Sequence, residues 1–270
     1  NIAPRIGVLI PSFNNQIFAD VLSGIESVTT AHGYQTLVVN YDYDSQREEE
    51  QIATVLALNV KALLLTESVH TLRAEKYLKA AKIPVAEVMG LSDNAGRINV
   101  GFDNYRAGFD MTAMLLASGK KQIIYFGSMS DIRDEQRYAG YCKAMEEAGL
   151  TVGRIAPNKV SSVSIGTGMM TLARQMYKEM DAILCTNDDL AVGVLQECLA
   201  SGISVPQEMA IAGFQGLEIG QIVSPRKASV LTQRFEMGKV ATEILIKKIK
   251  GLPTIEKVDL HYRLSMGETI

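Results

Sequence analysis

Few side chains in this sequence are placed for acid–base or nucleophilic chemistry. The 270 residues contain three histidines, His32, His70 and His261. His70 lies in a predicted loop near Glu67, so the two could form a hydrolytic dyad, or His70 could donate a hydrogen bond to a ligand. The motifs G-x-x-x-x-G-K-[ST], G-x-S-x-G and H-E-x-x-H do not occur. The sequence therefore predicts a protein that is not an enzyme.

Acidic and thiol side chains do not follow a metal-binding or disulfide pattern. Glu48-Glu49-Glu50 is interpreted as a solvated helix face, and Asp188-Asp189 as acids that favour the start of a helix. The three cysteines have no C-x-x-C spacing, which is typical of buried free thiols in a reducing compartment. We therefore expect no metal, no cofactor and a cytoplasmic location.

Composition restricts the class of protein further. The length and the 47% of hydrophobic residues are more than one core usually uses, so two subdomains are expected. The net charge of -3 argues against nucleic-acid binding by this chain alone. No apolar run reaches membrane-spanning length, and the first residues do not read as a signal peptide.

Short apolar runs alternate with segments of helical periodicity along the chain. Residues 6–10 are predicted to form a buried strand, and Phe18, Val21 and Ile25 then recur at helical spacing. Strand and helix alternate in this way to the C-terminal region, including a strand predicted at 156–161. This order predicts an α/β fold with parallel sheets that are covered by helices on both faces.

Ligands of such folds bind beyond the carboxyl ends of the strands. The segments that follow predicted strands are 11–18, 66–70, 103–106, 128–137, 187–189 and 215–219. Among the polar residues near strand ends, Glu67, His70, Arg133 and Arg234 are candidates for ligand contacts.

Several segments in chain order resemble the LacI/GalR family of repressors. Residues 185–193, Cys-Thr-Asn-Asp-Asp-Leu-Ala-Val-Gly, resemble an Asn-Asp loop and helix of the family, and residues 202–214 resemble its next turn and strand. Residues 101–105, 137–141 and 237–238 also fit. The resemblance extends from residue 6 to the C-terminus, and residues 8–18, 24–28, 32–36, 213–216 and 219–221 are most similar to gluconate-utilisation repressors.

The resemblance implies two Rossmann-like lobes with parallel sheets, a type I periplasmic-binding-protein-like fold with three crossovers. The first lobe is expected to hold 1–117 and 232–259, and the second 118–231 and 260–270. The effector, a sugar or sugar acid, is expected in the cleft between the lobes. Family members form dimers or tetramers, and a homodimer is expected here. They bind operator DNA through a headpiece that this chain is expected to lack. Effector binding would shift the lobe angle and hence the spacing of the headpieces.

The resemblance assigns ligand contacts to Arg137 and Asn187. The guanidinium fork of Arg137 suits a carboxylate or paired hydroxyls, whereas the residue could also be an arginine on a helix surface. The amide of Asn187 suits hydroxyls, although the residue could instead cap the following helix.

Three further positions follow from the same resemblance. Phe18 would form an aromatic wall of the site, or it could simply pack in the core. Ser164 occupies the other wall position without the expected aromatic side chain. Gln215 replaces an aspartate that many members use for neutral sugars, and the loss of this negative charge suits an anionic effector such as gluconate. Asp103 is expected to help hold the lobes together.

A second function class shares this fold. A periplasmic sugar-binding protein of a transport system would have the same two lobes and a sugar site between them. The sequence upstream of the chain would separate the alternatives, because a secretion signal favours transport and a helix-turn-helix pattern favours a repressor.

Overall fold

The computed structural model of the chain describes residues 2–129 and 131–270. Two compact units are formed, Asn1–Phe102 with Gln233–His261 and Asp103–Thr232 with Tyr262–Ile270. The chain therefore passes from one unit to the other three times, as the three predicted crossovers require.

Strands and helices alternate through most of the chain. The strands are β1 (Arg5–Ile10), β2 (Gln35–Asn40), β3 (Ala62–Leu65), β4 (Val85–Gly90), β5 (Ile98–Phe102), β6 (Ile123–Phe126), β7 (Arg154–Ile155), β8 (Ala182–Cys185), β9 (Ala210–Gln215), β10 (Ala228–Leu231), β11 (Lys257–Asp259) and β12 (Arg263–Ser265). The helices are α1 (Gln16–Ala31), α2 (Ser45–Ala57), α3 (Leu72–Ala81), α4 (Asn104–Ala117), α5 (Ile132–Glu147), α6 (Val163–Met176), α7 (Asp188–Ala200), α8 (Glu218–Ile222) and α9 (Arg234–Ile249).

Each unit contains one sheet of six strands, and the two sheets have equivalent strand orders. The first order is β11-β5-β4-β3-β1-β2 and the second is β12-β10-β9-β8-β6-β7. All neighbouring strands are parallel except β10 and β12. The predicted α/β class with parallel sheets and two lobes is confirmed.

The strand orders locate where each sheet can bind a ligand. In the first sheet the connections from β1 and β3 lead to opposite sides, and in the second those from β6 and β8 do so. Ligands of open α/β sheets bind at such switch points, outside the carboxyl ends of the strands. Residues that follow these four strands therefore carry the candidate sites.

Helices on both faces bury the strands of each sheet. In the first unit one core cluster contains Leu9, Ile52, Val55 and Leu63, which are fully buried. In the second unit Phe126, Met170, Ile183, Leu195 and Ile211 are fully buried in one cluster. Each such side chain stabilises the fold by roughly 1.5–3 kcal/mol relative to its exposed state.

Two boundaries differ from the sequence prediction. The sequence prediction places 104–117 in the first lobe, but α4 packs along α5 and belongs to the second unit. The strand predicted at 156–161 is absent, and the neighbour of β6 is the shorter β7, which pairs through Arg154 and Ile155. Pro157 has no backbone N–H to extend the ladder.

A buried charge network connects α2, α3 and β4 in the first unit. His70 Nδ1 lies 2.7 Å from Glu48 Oε1, and His70 Nε2 lies 2.6 Å from Glu87 Oε2. Arg97 Nη1 donates to Glu87 at 2.9 Å, and its Nη2 pairs with Glu75. The His70 side chain is fully buried between two carboxylates.

This network corrects two interpretations of the sequence. Glu48 and Glu49 are 1% and 7% exposed, so they do not form a solvated helix face. His70 contacts Glu48 and Glu87 instead of forming a dyad with Glu67. Because both ring nitrogens already have carboxylate partners, His70 is not available to donate to a ligand.

The network also shifts two ionisation equilibria. Burial opposes the charged imidazole, but hydrogen bonds and charges of Glu48 and Glu87 outweigh it and raise the pKa of His70 to about 9. Burial raises the pKa of Glu48. The protonated ring of His70 thus holds α2 against β4 at neutral pH.

Helices α4 and α5 of the second unit cross at glycines. A Cβ atom at Gly108 would overlap the carbonyl oxygen of Arg137, and a Cβ at Gly140 would overlap that of Tyr105. Two other helix pairs cross in the same way, α1 with α9 through Gly24 and Gly238, and α6 with α7 through Gly166 and Gly193. The missing side chains let α4 bring its first turn against Arg137.

Replacement of His70 by glutamine should weaken the pH dependence of stability. The pKa of His70 is about 9 in the folded chain and 6.5 for an ordinary histidine. The contribution of the ring is therefore complete below about pH 6.5 and lost as the pH rises through 9. The difference corresponds to roughly 3 kcal/mol. Denaturant unfolding at intervals from pH 6 to 10 measures it.

His261→Gln provides the control, because the His261 side chain is 79% exposed. This variant should follow the pH profile of the unaltered chain. A free-energy difference between the unaltered chain and His70→Gln that stays constant from pH 6 to 10 would contradict the role of His70.

Gly140→Ala should destabilise the chain by about 1–3 kcal/mol, because the added methyl group must displace the α4 backbone. Alanine in place of a helical glycine otherwise stabilises by about 1 kcal/mol. Gly168→Ala in α6, where a Cβ meets no atom within 4 Å, is the matched control with the opposite sign. Thermal unfolding compares the two, and equal shifts would refute the close crossing.

Candidate functional site

Arg137 lies at the switch point of the second sheet. Its Nε donates to Asn104 Oδ1 at 2.8 Å, and its Nη1 donates to the carbonyl oxygen of Thr186 at 2.7 Å. The guanidinium carbon lies 4.6 Å from the centre of the Phe214 ring. These partners come from the start of α4 and the ends of β8 and β9, so four elements fix one cation.

The partners of Arg137 are neutral. The residue is 6% exposed, and it forms no ion pair with a carboxylate among residues 2–129 and 131–270. Burial lowers the pKa of Arg137. Arg137 is therefore not an arginine on a helix surface, and its buried charge can accommodate an anion.

None of the three neighbours of Arg137 is a site residue in the sequence prediction. Asn104, Thr186 and Phe214 occur within segments 101–105, 185–193 and 202–214, which carried the family resemblance. Asn104 and Thr186 are only 1% and 2% exposed. Their polar character at strand ends was the available signal, but their convergence on Arg137 depends on how α4 packs.

Asn187 is the N-cap of α7. Its Oδ1 accepts from the backbone N–H of Leu190 at 3.2 Å, which is the structural role that the sequence left open. The cap uses the carbonyl oxygen of the side chain, and Nδ2 has no acceptor in the described part of the chain. Asn187 is thus able to cap the helix and to donate to a ligand at the same time.

A buried ion pair stabilises this end of the second sheet. Lys227 Nζ lies 2.5 Å from Asp188 Oδ1, and both side chains are fully buried. Asp188 Oδ2 also accepts from the backbone N–H of Leu217 at 2.7 Å, and Ser229 donates to Oδ1 at 2.9 Å. Asp188 is therefore committed to joining α7, β10 and the segment after β9.

Gln215 ends β9 in an uncommon backbone conformation. Its φ of 95° lies in the left-handed region, which costs non-glycine residues free energy. Its Oε1 accepts from Thr232 Oγ1 at 2.7 Å, and the residue is 2% exposed. Residues that the surrounding structure keeps in an unfavourable backbone conformation are common at ligand sites.

The other two predicted residues of the second unit differ in environment. Arg133, in the first turn of α5, is 7% exposed, and its Nη2 atom lies 3.6 Å from Asp131 Oδ2. Ser164 is exposed in the first turn of α6, which Ser162 caps. Asp103 caps α4 through a 2.9 Å hydrogen bond from the backbone N–H of Arg106.

The first unit places Phe18 and Glu67 at its own switch point, after β1 and β3. Phe18 is 3% exposed and makes an edge contact with Tyr43, with ring centres 6.5 Å apart. Glu67 Oε1 accepts from Tyr41 at 2.7 Å. Arg234, at the start of α9, is paired with Asp20 through both Nε and Nη2 at 2.9 Å.

None of the side chains or helices in the described residues marks a metal site or a membrane span. No group of three or more His, Cys, Asp or Glu side chains within 2–129 and 131–270 could hold a metal ion. All three cysteines are free thiols. Over the same residues, the helices are too short or too polar to cross a bilayer.

Comparison with known proteins gives one consistent result. A family model described as periplasmic binding proteins and sugar binding domain of LacI family matches residues 3–263. The HTH-type transcriptional regulators IdnR and GntR of Escherichia coli strain K12 are each 45% identical to this chain. Each match covers 98% of this chain and 80% of the regulator.

Solved structures agree with the sequence comparison. The crystal structure of transcription regulator GntR from Chromobacterium violaceum has a TM-score of 0.95 and 34% identity, and the match covers 98% of both chains. Because these relatives regulate transcription, the chain is not a transport binding protein, and its relatives do not belong to an enzyme class. The chain belongs to the LacI family and is an effector-binding domain of its transcriptional regulators.

Proposed function

We propose that this domain binds D-gluconate or a close aldonate as the effector of a regulator of carbohydrate utilisation. The regulator would act in the cytoplasm and bind operator DNA through a separate helix-turn-helix headpiece. The HTH-type regulators that are 45% identical to the chain support the DNA-binding part of this proposal.

The buried charge of Arg137, which has no ion-pair partner among the described residues, is the observation that carries the choice of a sugar acid. Asp131 and Asp134 act on the guanidinium only from beyond ion-pair distance. Burial of a cation beside neutral acceptors is costly, and a carboxylate that binds there supplies a counter-charge in direct contact. Gln215 also supports an anionic effector, because a neutral side chain at the end of β9 does not repel an anion.

The remaining groups of the second switch point suit the hydroxylated part of an aldonate. Asn187 Nδ2 is a donor without an acceptor in the described residues, and hydroxyl oxygens accept such hydrogen bonds. The Phe214 ring is fully buried and packs against the Arg137 guanidinium, so it helps to hold the cation in place. Among the predicted ligand residues of the first unit, Phe18 and Glu67 remain candidates, whereas His70 is committed to its glutamates.

Effector binding would act through a shift in population. An effector that binds one conformational state more tightly than another stabilises that state, and a coupling of about 1–3 kcal/mol is ordinary for such switches. The sign of the response, induction or corepression, follows from which state binds DNA.

Arg137 should dominate the affinity for gluconate. Calorimetry should show heat with sodium D-gluconate and much weaker binding of neutral D-glucose. Arg137→Lys keeps the charge but loses the planar fork, so affinity should fall roughly 10- to 100-fold. Arg137→Ala should abolish measurable binding at millimolar ligand.

The control for this experiment is Arg174→Ala, which removes an exposed arginine of α6 in the same unit. This variant should bind gluconate like the unaltered chain. Absence of heat with any aldonate at millimolar concentration, or tighter binding of glucose than of gluconate, would refute the proposed effector class.

The domain should also form a homodimer. Strand β2 is an edge of the first sheet, where the described residues pair it with β1 alone, and its residues 36–40 are half-buried. An unpaired edge of this kind favours further association. Sedimentation should give twice the chain mass of 29.4 kDa at micromolar concentration. A monomer at tens of micromolar would contradict this prediction.

A further inference from the structure

Asn104 carries a buried hydrogen-bond donor without an acceptor. The residue is 1% exposed, and its Nδ2 atom has no hydrogen-bond partner among the described residues. The orientation of the side-chain amide is fixed, because Arg137 Nε can only donate and lies 2.8 Å from Asn104 Oδ1. A flipped amide would bring two donors together.

A second donor without an acceptor in the described residues belongs to Arg137, the hydrogen-bond partner of Asn104. The Nη2 atom of Arg137 donates to no acceptor in the described part of the chain, since the hydrogen bonds of this side chain use Nε and Nη1. Oxygen and nitrogen of one amide are only about 2.3 Å apart. Asn104 Nδ2 is therefore within about 5 Å of Arg137 Nε.

Unsatisfied buried donors are uncommon in folded proteins, and each calls for an explanation. Asn104 Nδ2 is a buried donor of this kind. A bound carboxylate would satisfy it and could accept from Arg137 Nη2 as well, because a carboxylate accepts several hydrogen bonds and donates none. Its two oxygens are also separated by a distance similar to that between the two atoms of the amide.

We infer that Asn104 is a second specificity residue of the effector site, which donates Nδ2–H to the effector carboxylate beside Arg137. This inference rests on the proposed function. It adds a requirement that Arg137 alone does not impose. Two fixed donors favour the binding of a carboxylate, whose oxygens both accept hydrogen bonds. They disfavour a carboxamide, because its NH2 group would face N–H groups of the protein.

The amide of Asn104 also positions Arg137. Its Oδ1 holds Nε, while the Thr186 carbonyl holds Nη1, so two sides of the guanidinium are occupied by protein. The remaining Nη2 is the part of Arg137 that can meet a ligand. Asn104 would thus orient the cation and contact the same carboxylate.

Calorimetry with sodium D-gluconate and neutral D-gluconamide tests the inference on three chains. The unaltered chain should bind gluconate at least about 30-fold more tightly than gluconamide, since only the amide places donors against donors. Asn104→Asp keeps the acceptor for Arg137 but replaces the donor by an acceptor. We expect its affinity for gluconate to fall about 30-fold or more, and its preference to move towards gluconamide.

Asn104→Ala separates the lost donor from the added charge of the aspartate. It should also weaken gluconate binding, by about 10-fold or more, although it introduces no negative charge. The inference is overturned if Asn104→Ala binds gluconate within two-fold of the unaltered chain. A crystal structure of the gluconate complex with Nδ2 more than about 4 Å from every ligand oxygen would overturn it as well.

The thermal stability of Asn104→Asp without ligand should change in the opposite direction to its affinity for gluconate. Asn104→Asp removes an unsatisfied donor and gives Arg137 a counter-charge, so the thermal midpoint should rise. Asn99→Asp is the matched control, because Asn99 is 3% exposed and its Nδ2 donates to the carbonyls of Glu87 and Gly90. Its midpoint should fall, and a similar fall in Asn104→Asp would show that Nδ2 has a structural acceptor.

The outcomes distinguish this inference from the proposed function. Heat with gluconate in the unaltered chain and in both Asn104 variants, at equal affinity, removes only the role of Asn104. Absence of heat in the unaltered chain removes the aldonate effector, and the carboxylate contact of Asn104 is removed with it.

Discussion

Helices α4 and α5 pack so closely that their backbones are in direct contact where they cross. Gly108 and Gly140 permit this approach, because a Cβ at either position would overlap a carbonyl oxygen of the opposite helix. Asn104 begins α4 and Arg137 lies in the second turn of α5. Their 2.8 Å hydrogen bond depends on the same crossing, so helix packing sets the geometry of the candidate site.

Buried cations in the described residues fall into two groups that indicate different roles. His70 and Lys227 have carboxylate partners at hydrogen-bond distance, which satisfies their charge within the fold. Arg137 has only neutral acceptors and an aromatic ring. A cation that already has a carboxylate partner does not need a ligand to balance its charge. We therefore interpret His70 and Lys227 as structural and Arg137 as a ligand-binding cation.

Chain order and periodicity predicted the parallel sheets, and the family resemblance indicated Arg137 and Asn187 within segments that follow predicted strands. Local sequence could not show that Glu48 and Glu49 are buried, since their partners His70 and Thr71 lie more than 20 residues away in the chain. Asn104 was missed for the same reason, because its contact with Arg137 spans 33 positions. The strand expected at 156–161 failed because a two-residue strand has too little periodicity to place.

The three passages of the chain between its units have a consequence for biosynthesis. The first sheet needs β11, and α1 needs α9, with which it crosses at Gly24 and Gly238. These elements lie in Arg234–Ile249 and Lys257–Asp259, close to the end of the chain. The N-terminal part emerging from the ribosome therefore keeps one face of α1 uncovered until nearly the whole domain has been synthesised. Neither unit can be completed by vectorial folding, so truncated translation products should be targets for chaperones and proteases.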